Sequence, residues 1–132
     1  SELDVGDASE IQKIFDVVRP DVVINAAAYT KVDDAEINSD LAERTNFHAA
    51  KYLCDACSNH NSLLVHFSTD YVFDGTKADP YSEDDHANPL NIYGRSKSAG
   101  DHYIIENAYQ YLIFRLAWVY DNIGTNFPKK IL

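Results

Sequence analysis

Basic residues are scarce in this chain of 132 residues: 11 Lys and Arg stand against 21 Asp and Glu, a formal net charge of -10. No cluster of Lys or Arg occurs, and because nucleic-acid affinity comes largely from such residues displacing counterions, a nucleic-acid partner is not expected. Long apolar runs are missing too. Nothing approaches the roughly 20 residues needed to cross a bilayer, and the opening Ser1-Glu2-Leu3-Asp4 lacks the basic and apolar regions of a signal peptide. The expectation is a cytoplasmic protein with no membrane partner. Cysteine is limited to Cys54 and Cys57. Their C-x-x-C spacing would suit redox chemistry at a helix N-terminus, where the dipole lowers the thiol pKa, but they fall late in a predicted helix and read as plain helix residues. The five histidines, from His48 to His102, show no metal-ligand spacing, so no metal site is expected.

What is present is an ordinary globular balance, 45% apolar and 24% charged. The length allows one domain or part of one. Short apolar runs alternate with helix-period stretches, the pattern of βαβ units around a parallel sheet. Three strands are predicted: Asp21 to Asn25, Leu63 to Phe67 ending at Ser68-Thr69-Asp70, and Tyr111 to Leu116. The consecutive apolar residues of the first suit a strand covered on both faces. A helix over Ala8 to Val18 precedes it. Ala42, Thr45, Ala49, Leu53 and Ala56 recur at helical steps to give one face of a second helix, with Ser39 as its cap. From Asp74 to Asn88 the chain reads as a long loop, a length that is usually functional, and Pro89 opens a helix running to about Asn107. Polar groups follow the end of every strand, where open parallel sheets place their ligands.

Within the last helix Tyr93 and Lys97 lie four residues apart, on one face and one turn from each other. A nearby cation favours the phenolate and lowers a tyrosine pKa, which suits a proton donor or acceptor. Ser68 and Thr69 end the preceding strand, where a hydroxyl could hydrogen-bond a substrate carbonyl oxygen.

Four ordered blocks carry a resemblance: Val23 to Asp33 (VINAAAYTKVD), Ser68 to Gly75 (STDYVFDG), Pro89 to Lys97 (PLNIYGRSK) and Phe114 to Tyr120 (FRLAWVY). Together they resemble the dTDP-4-dehydrorhamnose reductases, within the extended short-chain dehydrogenase/reductases, and the resemblance runs from Leu3 to Leu132. It implies an α/β fold, a partial Rossmann-like doubly wound parallel sheet with flanking helices, with residues 1–132 forming part of one NAD(P)-binding domain. The activity implied is hydride transfer from NADPH or NADH to the C4 keto group of a dTDP-linked 6-deoxyhexose, giving dTDP-rhamnose. Tyr93 would be the general acid, Lys97 would hydrogen-bond the nicotinamide ribose and hold down the Tyr93 pKa, and Thr69 would polarise the ketone, with Ser68 in support. Asp70, Tyr71 and Trp118 match positions at the sugar. Ala27, Ala28, Tyr29 and Thr30 match the loop under the cofactor, Asp4 and Val5 the pair beside the adenine, and Asn46 an asparagine that supports the site. The resemblance leaves room for a homodimer of the intact protein.

Bland readings stand beside these. Trp118 and Tyr120 could be core aromatics, Asp70 a helix or turn cap, Ala26 to Ala28 small only for close packing, and Glu83-Asp84-Asp85 a solvated loop. The Gly-rich dinucleotide turn of the family would precede Ser1, and its substrate-binding part would follow Leu132. The chain therefore reads as a central fragment that is inactive alone. Two other functions remain open. One is an NADP-binding regulatory subunit like the beta subunit of methionine adenosyltransferase. The other is a nucleotide-sugar epimerase or dehydratase of the extended family. Thr69 with Trp118 favours the reductase over the first, and Tyr71 in place of an acidic residue after Asp70 favours it over a dehydratase.

Overall fold

The computed structural model describes residues 3–120. The remainder of the resemblance, up to Leu132, lies outside the described residues. Helix α1 (Ala8–Val18) starts at Asp7, whose carboxylate accepts the free amides of Ser9 and Glu10, and ends at Arg19 in the left-handed region, φ 47°. Ile11 and Phe15, one turn apart, form its buried face. After β1 (Val22–Asn25) come α2 (Val32–Ala35), α3 (Ser39–Glu43), a π-helical turn (Arg44–His48) and α4 (Ala49–His60), which lead to β2 (Leu63–Thr69). A 3₁₀ turn (Asp70–Val72), the loop, α5 (Ile92–Asn107) and β3 (Tyr111–Leu116) complete the described residues.

The strands are parallel in the order β1-β2-β3. Parallel neighbours need a crossover, and α4 and α5 supply the two, packing against each other and against β2 while α1 packs on α4. Between these helices and the sheet lies the main core of Ile11, Phe15, Leu53, Cys54, Leu64 and Ile104. A second cluster, Ala35, Ala42 and Tyr93 with Tyr29 and Val32 against it, sits at the carboxyl end of the sheet.

Strand alternation sends Val22, Ile24, Phe67, Leu112, Phe114 and Leu116 to the opposite face, where all are exposed, Ile24 by 64%. The expectation that β1 is covered on both faces is therefore not met among the described residues, because both crossovers run the same way across the sheet and share one face. Two cap expectations also change. Asn38 holds the cap position before α3 and Ser39 is its first helical residue. Helix α5 opens at Asn91, not Pro89: the Asn91 side-chain oxygen accepts the Gly94 N–H at 2.7 Å, a bond proline cannot make. The π turn explains a third difference. It inserts one extra residue in the helical ladder, so Asn46 is buried in the inward face where the helical period alone predicts Thr45, while Ala42, Ala49, Leu53 and Ala56 keep their buried places.

Candidate active site at the carboxyl end of the sheet

Tyr93 occupies the first turn of α5 and is 9% exposed. Gly94 makes this placement possible, because a side chain there would drive into the carbonyl oxygen of Tyr71. The Tyr93 ring meets the Tyr71 ring edge-on, centroids 5.6 Å apart. Thr69, buried at the end of β2, accepts the Tyr71 amide at 3.2 Å and donates to Asp70 Oδ1 at 3.1 Å. Thus Thr69, rather than Asp70, caps the 3₁₀ turn, and Asp70 stays exposed. Burial raises the Tyr93 pKa above the usual phenol value, while a hydrogen bond with Thr69 works the other way. The expectation that Lys97 lowers it is not realised. The Lys97 ammonium, 2% exposed, turns instead to the carbonyl oxygen of Phe67 at 2.6 Å and lies 3.3 Å from His66 Nε2. Burial pulls the Lys97 pKa down to about 8, against the opposing charge of Asp101.

Asn46 ties this helix to the segment that leaves β1. Its Nδ2 donates to the Tyr29 carbonyl at 3.2 Å and to Ser96 Oγ at 2.9 Å, and its Oδ1 accepts the Tyr29 amide at 2.8 Å. Ser96 Oγ in turn donates to the Tyr93 carbonyl at 2.8 Å. Ala27, Ala28 and Tyr29 are half-buried along this seam and Thr30 is exposed. The Tyr29 hydroxyl donates to Asp34. Asp4 and Val5 precede α1, and Asp4 is bound to Arg44 of the π turn at 2.5 Å, so these residues too are attached to the Asn46 turn.

Asp70 and Tyr71 line an open cleft of about 860 Å³ with Phe73, Asn91 and Arg115. Tyr93, Lys97 and Thr69 lie beside it rather than in its wall. Its rim is ordered by Asp74, which accepts from the Thr76 amide at 3.0 Å, the Thr76 hydroxyl at 2.8 Å, the Tyr81 hydroxyl at 2.9 Å and Asn88 at 2.9 Å. In the acidic run Glu83 and Asp84 are exposed, as a solvated loop would be, but Asp85 is half-buried and pairs with Lys77 at 2.6 Å. Trp118 and Tyr120 are 67% and 72% exposed, so neither is a core aromatic here.

His66, Asp101, Asn25 and Arg115, which sequence reasoning passed over, gather around Lys97 and Ser68. Ser68 Oγ donates to Asp101 Oδ2 at 2.7 Å, and Arg115 Nε reaches the same oxygen at 3.3 Å. Asn25 Nδ2 lies 3.0 Å from His66 Nδ1. Asp101 stands four residues after Lys97, and His66 alternates inward with Leu64 and Ser68; those spacings are the only signals in the sequence. No group of three or more His, Cys, Asp or Glu residues able to hold a metal occurs among the described residues.

The family described as RmlD substrate binding domain matches residues 1–132, the whole chain. The chain belongs to the RmlD substrate-binding family. A dTDP-4-dehydrorhamnose reductase of Aggregatibacter actinomycetemcomitans is 42% identical over 100% of the chain and 45% of the relative. One of Burkholderia thailandensis is 44% identical over 99% and 44%. The crystal structure of a dTDP-4-dehydrorhamnose reductase of Bacillus anthracis in complex with NADP superposes with TM-score 0.94 at 40% identity, covering 98% of the chain and 46% of that protein. The RmlD-family chain thus spans under half the length of these relatives, and its α/β sheet and helices are those of a Rossmann-like reductase.

Proposed function

We propose that the full-length protein carrying this chain is an NADPH- or NADH-dependent reductase of dTDP-4-dehydro-6-deoxy-L-mannose, giving dTDP-L-rhamnose. The observation that carries the reading is the meeting of Thr69 and Tyr93, from β2 and α5, at the carboxyl end of a sheet whose reductase relatives match the whole chain. The residues fit a nicotinamide cofactor on one side: only methyl side chains, Ala26 to Ala28, leave the end of β1, Tyr93 offers a hydroxyl donor to a ribose, and the buried Lys97 would reach a ribose with an N–H beyond the one it gives the Phe67 carbonyl. When bound, that cofactor supplies the hydride to C4. The chain's own residues do the rest. Thr69 Oγ turns its one proton from Asp70 Oδ1 to the ketone oxygen, and the Tyr93 hydroxyl gives its proton to that oxygen as it becomes an alkoxide. A phenol whose pKa is raised by burial is held in the protonated form this step needs. Asp70 and Tyr71, facing the cleft, receive the sugar nucleotide together with Trp118. Asn46 and Ser96 keep the Ala27–Tyr29 seam and Tyr93 in register, and Asp4 with Val5 takes the adenine side. The same reading places the reaction in the cytoplasm and leaves room for a homodimer of the intact protein.

The test is oxidation of NAD(P)H by the full-length protein with dTDP-4-dehydro-6-deoxy-L-mannose. Turnover that yields dTDP-L-rhamnose is expected. Tight cofactor binding with no turnover on any keto sugar overturns the reading in favour of a non-catalytic NADP-binding subunit.

A further inference from the structure

Two side chains of opposite charge, Lys97 and Asp101, are each only 2% exposed, one turn apart on α5. Removing both from water is costly unless their geometry compensates, so stability alone is a weak reason for the pair. The compensation is visibly incomplete. Asp101 Oδ2 takes Ser68 and Arg115, but Oδ1 is fully buried and has no hydrogen-bond partner, the one such side-chain atom among the described residues. His66 Nε2 lies 3.7 Å from it. The orientation of that imidazole follows from its neighbours. Asn25 Oδ1 is taken by the Ala27 amide at 3.2 Å, which turns Nδ2 toward His66 Nδ1 at 3.0 Å. Nδ1 must then accept, and the ring proton sits on Nε2. This N–H faces the corner that Asp101 Oδ1 occupies, and the Lys97 ammonium lies 3.3 Å from Nε2 while donating to the Phe67 carbonyl.

We propose that His66 and Asp101 are positioning residues for Lys97: the His66 Nε2–H turns toward the unshared oxygen of Asp101 and keeps that carboxylate beside the buried amine, which the Phe67 carbonyl holds directly. The inference rests on the assignment of Lys97 to the cofactor ribose for its catalytic consequence, but not for the geometry. Neither residue touches the reacting atoms. The groups around Lys97 are His66 and the Phe67 carbonyl from β2 and the Asp101 charge from α5, with Asn25 of β1 behind His66 and Ser68 of β2 and Arg115 of β3 on Asp101. Asp101 is therefore the nearest anion able to hold the proton on the amine.

The experiment joins an NMR titration of His66 and Lys97 in the full-length protein to its kinetics. His66 should read as the neutral Nε2–H tautomer. In Asp101→Asn the Lys97 midpoint should fall by about one pH unit or more, the shift expected on losing an opposite charge a few ångströms away. His66→Gln keeps an amide N–H where Nε2–H stands, whereas His66→Asn keeps only the Asn25 side. The Asn variant should lose about tenfold in kcat, the low end of what misplacing a group in acid-base catalysis costs, with the sugar KM unchanged, and the Gln variant should recover most of it. An Nδ1–H tautomer, a Lys97 midpoint unmoved in Asp101→Asn, or equal losses in the two His66 variants overturns the proposal. If Asp101→Asn does not fold, the tautomer and the His66 pair decide. If the wild-type protein turns nothing over, the reductase reading falls while the tautomer and the Lys97 midpoint still decide the placement.

Discussion

The ammonium of Lys97 donates to the carbonyl oxygen of Phe67 in β2 across 2.6 Å, so α5 is anchored to the sheet through the buried cation itself. Burial depresses its pKa from 10.5 to about 8. Between those values the unfolded chain holds a proton that the native chain has shed. The contribution of this group to stability therefore rises with pH across that window, by at most about 1.4 kcal/mol per unit. Chemical denaturation of the full-length protein and of its Lys97→Met variant should diverge accordingly as pH climbs through it. Parallel curves would show that Lys97 titrates as free lysine does.

Gly100 marks a second close approach. A Cβ there would stand 2.7 Å from the Asn46 carbonyl oxygen and 3.2 Å from Ala50 Cβ. Alanine in mid-helix normally gains up to about 1 kcal/mol over glycine, but separating α5 from the π turn costs about 1–3 kcal/mol. Gly100→Ala should thus destabilise the protein, read as a lower denaturation midpoint. A gain in stability would mean that the two helices have room to spare.

Asn46→Ala removes three hydrogen bonds at once and leaves the Tyr29 amide and carbonyl without partners. Each such loss costs about 1–3 kcal/mol where water cannot enter. Hydrogen exchange at the Tyr29 amide should quicken more than at α1, and cofactor affinity should drop with it. Unchanged exchange at Tyr29 would remove Asn46 from its role as the clamp.

The thiols of Cys54 and Cys57 are buried in α4, and burial raises their pKa to about 11 and about 12. Since the thiolate is the reactive form, a disulfide reagent should leave both unmodified in the native full-length protein and label them only on unfolding. Fast native labelling of either would reopen the redox reading of the C-x-x-C spacing.

Much of this was legible in the residues. Helix α1 covers the predicted Ala8 to Val18, and β3 covers the predicted Tyr111 to Leu116. Thr69 and Tyr93 come together as the order of strand, loop and helix requires. The π turn was not legible, because the composition of Arg44 to His48 is compatible with an unbroken α-helix; only tertiary packing against Gly100 and Tyr29 distinguishes it. Spacing alone put Lys97 beside Tyr93, yet a long flexible side chain on the right face still has several partners within reach, and the Phe67 carbonyl took it. His66 and Asp101 escaped notice since a lone histidine in a strand and an acid in a helix carry no pattern of their own.

The most direct measurement is the steady-state rate of NAD(P)H oxidation by the full-length protein and its Tyr93→Phe variant with dTDP-4-dehydro-6-deoxy-L-mannose. The variant should keep its cofactor affinity and lose about a hundredfold or more in kcat, the contribution of a positioned proton donor. A Tyr93→Phe protein that turns over at the wild-type rate would contradict the assignment of Tyr93 as the acid.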